Sequence, residues 1–156
     1  MNGFMKVLSI IIPAYNSAAF LDKGISSLLH GDVLEKLDII IVNDGSSDET
    51  AAIAQKYCGR YPDSIRLISQ ENRGHGGALN TGCAAAVGKY LKAIDADDWV
   101  ETDQLPEFVR QLENCDSDVV LTHYKTIDIS TGEVKNWKCY PPEFGKRYTF
   151  GEIIPQ

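Results

Sequence analysis

Basic residues are scarce in this chain of 156. Fifteen Lys and Arg stand against 22 Asp and Glu, a net charge of −7, so no basic face offers itself to a nucleic-acid backbone. A nucleotide can still bind such a chain through a metal ion. Long apolar runs are missing too: none approaches the roughly 20 residues of a membrane-crossing helix. Met1 to Lys6 is too short and too polar for a secretory signal. The four cysteines, Cys58, Cys83, Cys115 and Cys139, lie in unrelated segments, which excludes a zinc knuckle. They are expected to be reduced and mostly buried, as in a cytoplasmic protein. Two phosphate-binding signatures are also absent, G-K-[ST] behind a glycine run and G-x-G-x-x-G.

What is present is ordinary for a globular protein: 44% hydrophobic and 24% charged residues, enough for a core and too apolar for disorder. The length is that of one domain. Val7–Ile12 is a nearly unbroken β-branched run, the pattern of a strand buried on both faces, and Pro13 is expected to stop it. Ser17–Leu29 carries Phe20, Leu21, Ile25, Leu28 and Leu29 at helical spacing. Leu37–Val42 is a second strand, and Glu49–Tyr57 a helix that Ser47 or Asp48 would cap. Ile65–Ser69 is a third strand, Asn72–Gly77 a glycine-rich loop and Ala78–Ala86 a helix. Tyr90–Ile94 is a fourth strand, Leu105–Leu112 a helix and Asp118–Tyr124 a fifth strand. Thr126–Ile129 and Val134–Cys139 read as a hairpin about Ser130-Thr131-Gly132.

Alternating strands and helices predict an α/β fold: a Rossmann-like three-layer α/β/α sandwich with a mostly parallel sheet. In such sheets ligands bind beyond the carboxyl ends of the strands, here Pro13–Asn16, Asn43–Ser46, Gln70–Gly74 and Asp95–Asp98. In extended backbone, residues two apart face one side, so Asp95 and Asp97 would present two carboxylates together, with Asp98 adjacent. Either a hard divalent cation occupies them or they form a solvated acidic turn that caps the next helix. In Asn43-Asp44-Gly45-Ser46 a carboxylate or amide can accept from a base N–H, or the segment is an ordinary Asx turn leading into a capped helix. Asn72-Arg73-Gly74-His75-Gly76-Gly77 allows close backbone approach, with Arg73 as a fork for phosphate oxygens, or is a plain loop. No chemistry is assigned to His75.

These segments fall at consecutive strand ends, and together they carry a resemblance. Ser9-Ile10-Ile11-Ile12-Pro13-Ala14-Tyr15-Asn16, Ile41-Val42-Asn43-Asp44-Gly45-Ser46-Ser47-Asp48-Glu49-Thr50, Asn72-Arg73-Gly74 and Ile94-Asp95-Ala96-Asp97-Asp98-Trp99 resemble the inverting glycosyltransferases of family two, with the GT-A fold. The resemblance covers roughly residues 7 to 124. It implies that Pro13, Ala14, Tyr15 and Asn16 wrap the nucleoside, that Asp44 binds the base (usually uracil), and that Arg73 lies near the base and diphosphate. Asp95 and Asp97 match the ends of a D-x-D motif: Asp97 would hold Mn²⁺ or Mg²⁺ and Asp95 the ribose or sugar, with Asp95 and Asp98 as further metal candidates. Asn43 departs from the family, which often has a second aspartate there.

The implied reaction moves a sugar from a nucleotide diphosphate donor, with UDP-sugar favoured, to a glycan, lipid-linked or other hydroxyl, with inversion. The acidic general base would lie beyond Gln156, so no catalytic residue is nominated in this chain. Residues 1–156 are expected to form one nucleotide-sugar-binding domain with its core at 7–124. Residues 125–156 would be the hairpin and the start of an acceptor-binding part cut short at the C-terminus. The implied setting is cytoplasmic, at the inner face of a membrane reached through segments outside this chain, in cell-wall or polysaccharide synthesis. Three competitors remain. A receiver-type signalling domain would need an acidic pair where Pro13-Ala14-Tyr15-Asn16 stands. A nucleotidyltransferase would begin with a glycine-rich loop after the first strand. A non-catalytic nucleotide-binding module would keep Asp44, Asp95 and Asp97.

Overall fold

The computed structural model describes residues 6–137 and 145–149. Two compact units divide the chain, Met1–Cys115 and Asp116–Gln156. The first unit holds a four-stranded sheet of β1 (Leu8–Ala14), β2 (Leu37–Asp44), β3 (Ile65–Gln70) and β4 (Tyr90–Ala93). The strand order is β3-β2-β1-β4 and every pairing is parallel. Around the sheet lie α1 (Ala18–Ser27), α2 (Thr50–Arg60), α3 (Gly74–Ala85) and α4 (Leu105–Glu113).

Side-chain alternation along the central strands builds the layers. Ile10 and Ile12 of β1 and Ile39 and Ile41 of β2 pack with Leu21 and Ile25 of α1, Ala54 of α2 and Val109 and Leu112 of α4. Ile11, Ile40 and Val42 point the other way and pack with Ala78 of α3. Both faces are therefore covered, which is why β1 and β2 are buried at every position. This is the three-layer Rossmann-like sandwich that the alternation of elements predicts. α3 lies very close to the sheet: a Cβ on Gly82 would stand 2.3 Å from Ile11 Cγ2.

Several expectations are corrected. Pro13 does not end β1; the ladder runs on through Pro13↔Val42 and Ala14↔Asn43. The β4 pairing has already stopped at Ile11↔Ala93, so Pro13 sits at a locally free edge where a missing N–H leaves no neighbour unsatisfied. Helix α3 starts at Gly74, inside the segment read as a loop. Asp44 Oδ1 accepts the Arg73 N–H at 2.9 Å, and that tertiary anchor outweighs the poor helix propensity of the glycines. The N-cap of α2 is Glu49, with no side-chain cap bond. Asp48 instead accepts from the Thr50 N–H with Oδ1 and from the Ala18 N–H with Oδ2, so one carboxylate serves the starts of α2 and α1. Ser47 turns to Asn16.

In the second unit, Asp118–Tyr124 is not a strand as read: among the described residues, 118–123 form no strand, the strand begins only at Tyr124, and Val119, Val120 and Leu121 are exposed. An apolar run becomes a buried strand only where a neighbouring strand offers a free edge. The hairpin does form, as β5 (Tyr124–Ile127) antiparallel to β6 (Val134–Trp137), with Tyr124 stacked on Trp137. Cys83 is exposed on α3, and Cys58 and Cys115 are half-buried, so the expected burial of the cysteines fails; Cys139 lies outside the described residues. Among the described residues, no helix is long and apolar enough to cross a membrane.

Candidate functional site

A parallel sheet in the order 3-2-1-4 reverses its direction of growth between β1 and β4. Loops leaving these two strands diverge to opposite faces, and the gap between them is where such folds take ligands. A cleft of about 360 Å³ opens there. Pro13, Tyr15, Asn16, Ser17 and Phe20 line one side, from the end of β1 and the start of α1, and Asp95, Ala96 and Asp97 the other, from beyond β4. His75, in the first turn of α3, completes the lining.

The β1–α1 loop is held by its own polar atoms. Asn16 has φ 48°, and it alone among the described non-glycine residues takes a positive φ. Asparagine tolerates this left-handed conformation better than most residues. Its N–H donates to Ser46 Oγ (3.0 Å), and its Oδ1 accepts the Ser47 N–H (2.9 Å). The Ser17 N–H donates to Thr50 Oγ1 at 2.8 Å. The loops after β1 and β2 are thus one hydrogen-bonded unit. Tyr15 is left exposed at the cleft wall.

Asp44 ends β2 and is 2% exposed. Its Oδ1 accepts from Gln70 Nε2 (2.7 Å) and from the Arg73 N–H. Burial alone would push its pKa up. Hydrogen bonds from the Arg73 amide, the Gln70 side chain and the Gly74 amide, with the Arg73 charge, outweigh burial and hold it below the ordinary carboxylate range. The carboxylate therefore stays ionised while it ties the 70–74 segment to β2. Gly45 follows at φ 75°, and a Cβ there would meet the Asn72 backbone at 2.9 Å, so this approach of the two loops requires glycine.

On the β4 side, Asp95 and Asp97 are exposed at the cleft. The Asp98 N–H donates to Asp95 O, a tight turn across the acidic run. Burial pushes the Asp98 carboxyl up, and the charges of Asp97 and Asp95 add to that shift. Among the described residues, no three His, Cys, Asp or Glu side chains converge on a point that could hold a metal ion.

The cleft brings together Pro13, Tyr15, Asn16, Asp95 and Asp97 of the residues singled out from the sequence. Ala14 is buried in β1; Asp44 and Arg73 stand beside the cleft at the next strand end; Asp98 is outside its lining. The sequence reading missed Ser17, Phe20 and His75. Phe20 reads from sequence only as one of the apolar residues at helical spacing, and it is 49% exposed. His75 Nε2 lies 3.8 Å from Asp95 Oδ1 across the cleft. Its flanking glycines were the available signal.

Comparison with known proteins bears on the family and the fold. The family model "Glycosyl transferase family 2" matches residues 9–154. The chain is 39% identical over 114 residues to the uncharacterized glycosyltransferase EpsJ of Bacillus subtilis, covering 73% of this chain and 33% of that one. It is 35% identical over 146 residues to chondroitin synthase of Escherichia coli, covering 88% and 20%. Among solved structures, S. aureus TarS 1-349 in complex with UDP-GlcNAc superposes with a TM-score of 0.60 at 24% identity, over 69% of this chain and 31% of that one. The mannosyltransferase PcManGT of Pyrobaculum calidifontis, in complex with GDP-Man and Mn²⁺, gives 0.56 at 24% identity, over 68% and 32%. These two likenesses concern the fold, which is of the GT-A type. The chain spans a third or less of the length of each relative named here. With a family match that covers nearly every residue, the chain belongs to glycosyltransferase family 2.

Proposed function

We propose that this chain holds the donor site of an enzyme that transfers a sugar from a nucleotide diphosphate, UDP-sugar by preference, to an acceptor hydroxyl with inversion at the anomeric carbon. The observation that carries the reading is the cleft at the β1/β4 switch point, with two aromatic side chains, Tyr15 and Phe20, on one wall and two exposed aspartates on the other. Pro13, Ala14, Tyr15 and Asn16 would embrace the nucleoside. Asp44, kept ionised, would accept the base N–H with lone pairs that Gln70 and Arg73 leave over. Arg73 and His75 would donate to diphosphate oxygens, and Asp95 would contact the ribose or sugar.

The donor set fits a divalent cation of the Mg²⁺ or Mn²⁺ kind. Such ions take oxygen ligands, are held by one or two carboxylates, and complete their shell from phosphates and water. Asp97 and Asp95, both on the cleft wall, offer that chemistry, with Asp98 next in the chain. PcManGT was solved in complex with GDP-Man and Mn²⁺. A bound cation supplies charge neutralisation for the leaving diphosphate. A carboxylate base would take the proton of the acceptor hydroxyl.

Calorimetric titration of UDP, with and without Mn²⁺, tests the reading. Wild type is expected to bind UDP more tightly with Mn²⁺, and Asp97→Ala to lose at least tenfold of that gain. UDP binding that ignores Mn²⁺ would remove the metal role. Absence of UDP binding by the folded chain would remove the donor site altogether.

A further inference from the structure

The acidic run at the end of β4 has little regular structure of its own: after Ala93 the chain makes a turn and stays irregular to Glu101. Something else must fix where Asp95 and Asp97 stand. Helix α1 packs against the run. Gly24, buried in α1, lies so close beneath the run that a Cβ there would meet Asp98 O at 2.9 Å and Ala96 O at 3.7 Å. Three residues on, Ser27 Oγ accepts the Val100 N–H at 3.1 Å, and Ser27 O accepts from Thr102 Oγ1 at 2.9 Å. Ser27 Oγ itself donates to Gly24 O at 2.7 Å, so the two α1 residues are tied together. Lys23 Nζ lies 3.0 Å from the Trp99 ring centroid and closes the solvent side.

We infer that Gly24 and Ser27 are positioning residues for the metal-and-sugar carboxylates: the bare face of α1 at Gly24 sets the depth of the 95–98 backbone, and Ser27 clamps its exit. The inference rests on the donor-site reading above. None of these α1 residues lines the cleft, so they act through Asp95 and Asp97 rather than on the ligand. A methyl group at Gly24 has backbone carbonyls as its obstacle, not the end of a flexible side chain, so the run must lift. A shift of a few tenths of an ångström at Asp97 is felt by an octahedral ion with short oxygen bonds. The nucleoside wall, tied to the β2–α2 loop by Asn16 and Ser17, is left where it was.

The test separates these two parts of the cleft. Uridine binding, without metal or phosphate, reads the nucleoside wall; Mn²⁺ binding to the UDP complex, from the electron paramagnetic resonance of free Mn²⁺, reads the acidic run. In the 156-residue chain, Gly24→Ala is expected to leave uridine affinity within twofold and to weaken Mn²⁺ binding tenfold or more. Ser27→Ala, which adds no bulk and keeps the helix, is expected to weaken Mn²⁺ binding about threefold, again with uridine unchanged. Mn²⁺ binding by either folded variant as tight as wild type would overturn the positioning role, as would an equal loss of uridine and Mn²⁺. Should Gly24→Ala fail to fold, Ser27→Ala decides alone. If wild type takes up neither UDP nor Mn²⁺, the donor-site reading has failed and this inference falls with it.

Discussion

At the scale of single residues, most of the polar side chains near the cleft are occupied with one another. Asn16 is the clearest case. Matched to the nucleoside segment from sequence, it also bridges two loops through Ser46 and Ser47 and does so at a positive φ. The two roles make separable demands. Asn16→Ala forfeits the Oδ1 bond and keeps a Cβ in the left-handed conformation without the polar side chain that lets asparagine tolerate it; an order of 1–2 kcal/mol is expected. Asn16→Gly forfeits the same bond without that strain and should cost about half as much, apart from glycine's larger unfolded-state entropy. Urea denaturation of the three proteins gives the order Asn, Gly, Ala from most to least stable. Ala as stable as Gly would mean that the backbone conformation imposes no penalty. What sequence could show at this scale was residue type at strand ends. It could not show that Asp44 shares an oxygen between Gln70 and Arg73, because those partners come from β3 and the turn after it.

At the scale of elements, the buried strands were legible because β1 and β2 are covered on both faces and so read as continuous β-branched runs. The same logic misread Asp118–Tyr124, whose residues Val119, Val120 and Leu121 are exposed. α3 was legible only in part: its first turn is glycine-rich and is made helical by Asp44 from another element. The far end of the sheet has its own polar core. Asp38, 4% exposed in β2, accepts from Ser9 Oγ at 2.7 Å, from Arg66 Nε and Nη2 at 2.9 Å each, and from the Val87 N–H at 3.2 Å. Burial works against its ionisation, but the bonds from Arg66, Ser9 and Val87 and the Arg66 charge prevail, and its pKa lies below the ordinary value. A depressed folded-state pKa means that the stabilisation is present above the unfolded value, roughly pH 4, and is lost as pH falls through the lower folded value. Asp38→Asn should cost about 2–3 kcal/mol at pH 7, less than a fully buried pair because Arg66 is 40% exposed. It should also flatten the acid limb of a plot of Tm against pH, while Asp44 still contributes there. An acid limb as steep as that of wild type would show that Asp38 titrates alike in the folded and unfolded chain.

At the scale of the whole molecule, the division into two units meets the placement of the cleft. Every lining residue falls between Pro13 and Asp97, and α1, the helix argued to hold the acidic run, lies in the same unit. So do the four parallel strands and the apolar residues that cover both their faces. Near its C-terminal end Lys36 pairs with Glu113 at 2.9 Å, and Tyr90 Oη donates to Cys115 O at 2.9 Å. A polypeptide of residues 1–115 therefore keeps the sheet, its helices and the complete cleft. It is expected to melt cooperatively and to bind UDP with Mn²⁺ within about threefold of the 156-residue chain. Circular dichroism and calorimetry on the two polypeptides check this together. Cooperative melting with a large loss of affinity would show that residues beyond Cys115 contribute to the donor site, which would move part of the binding surface into the second unit. Loss of folding would show instead that the second unit contributes to the stability of the first.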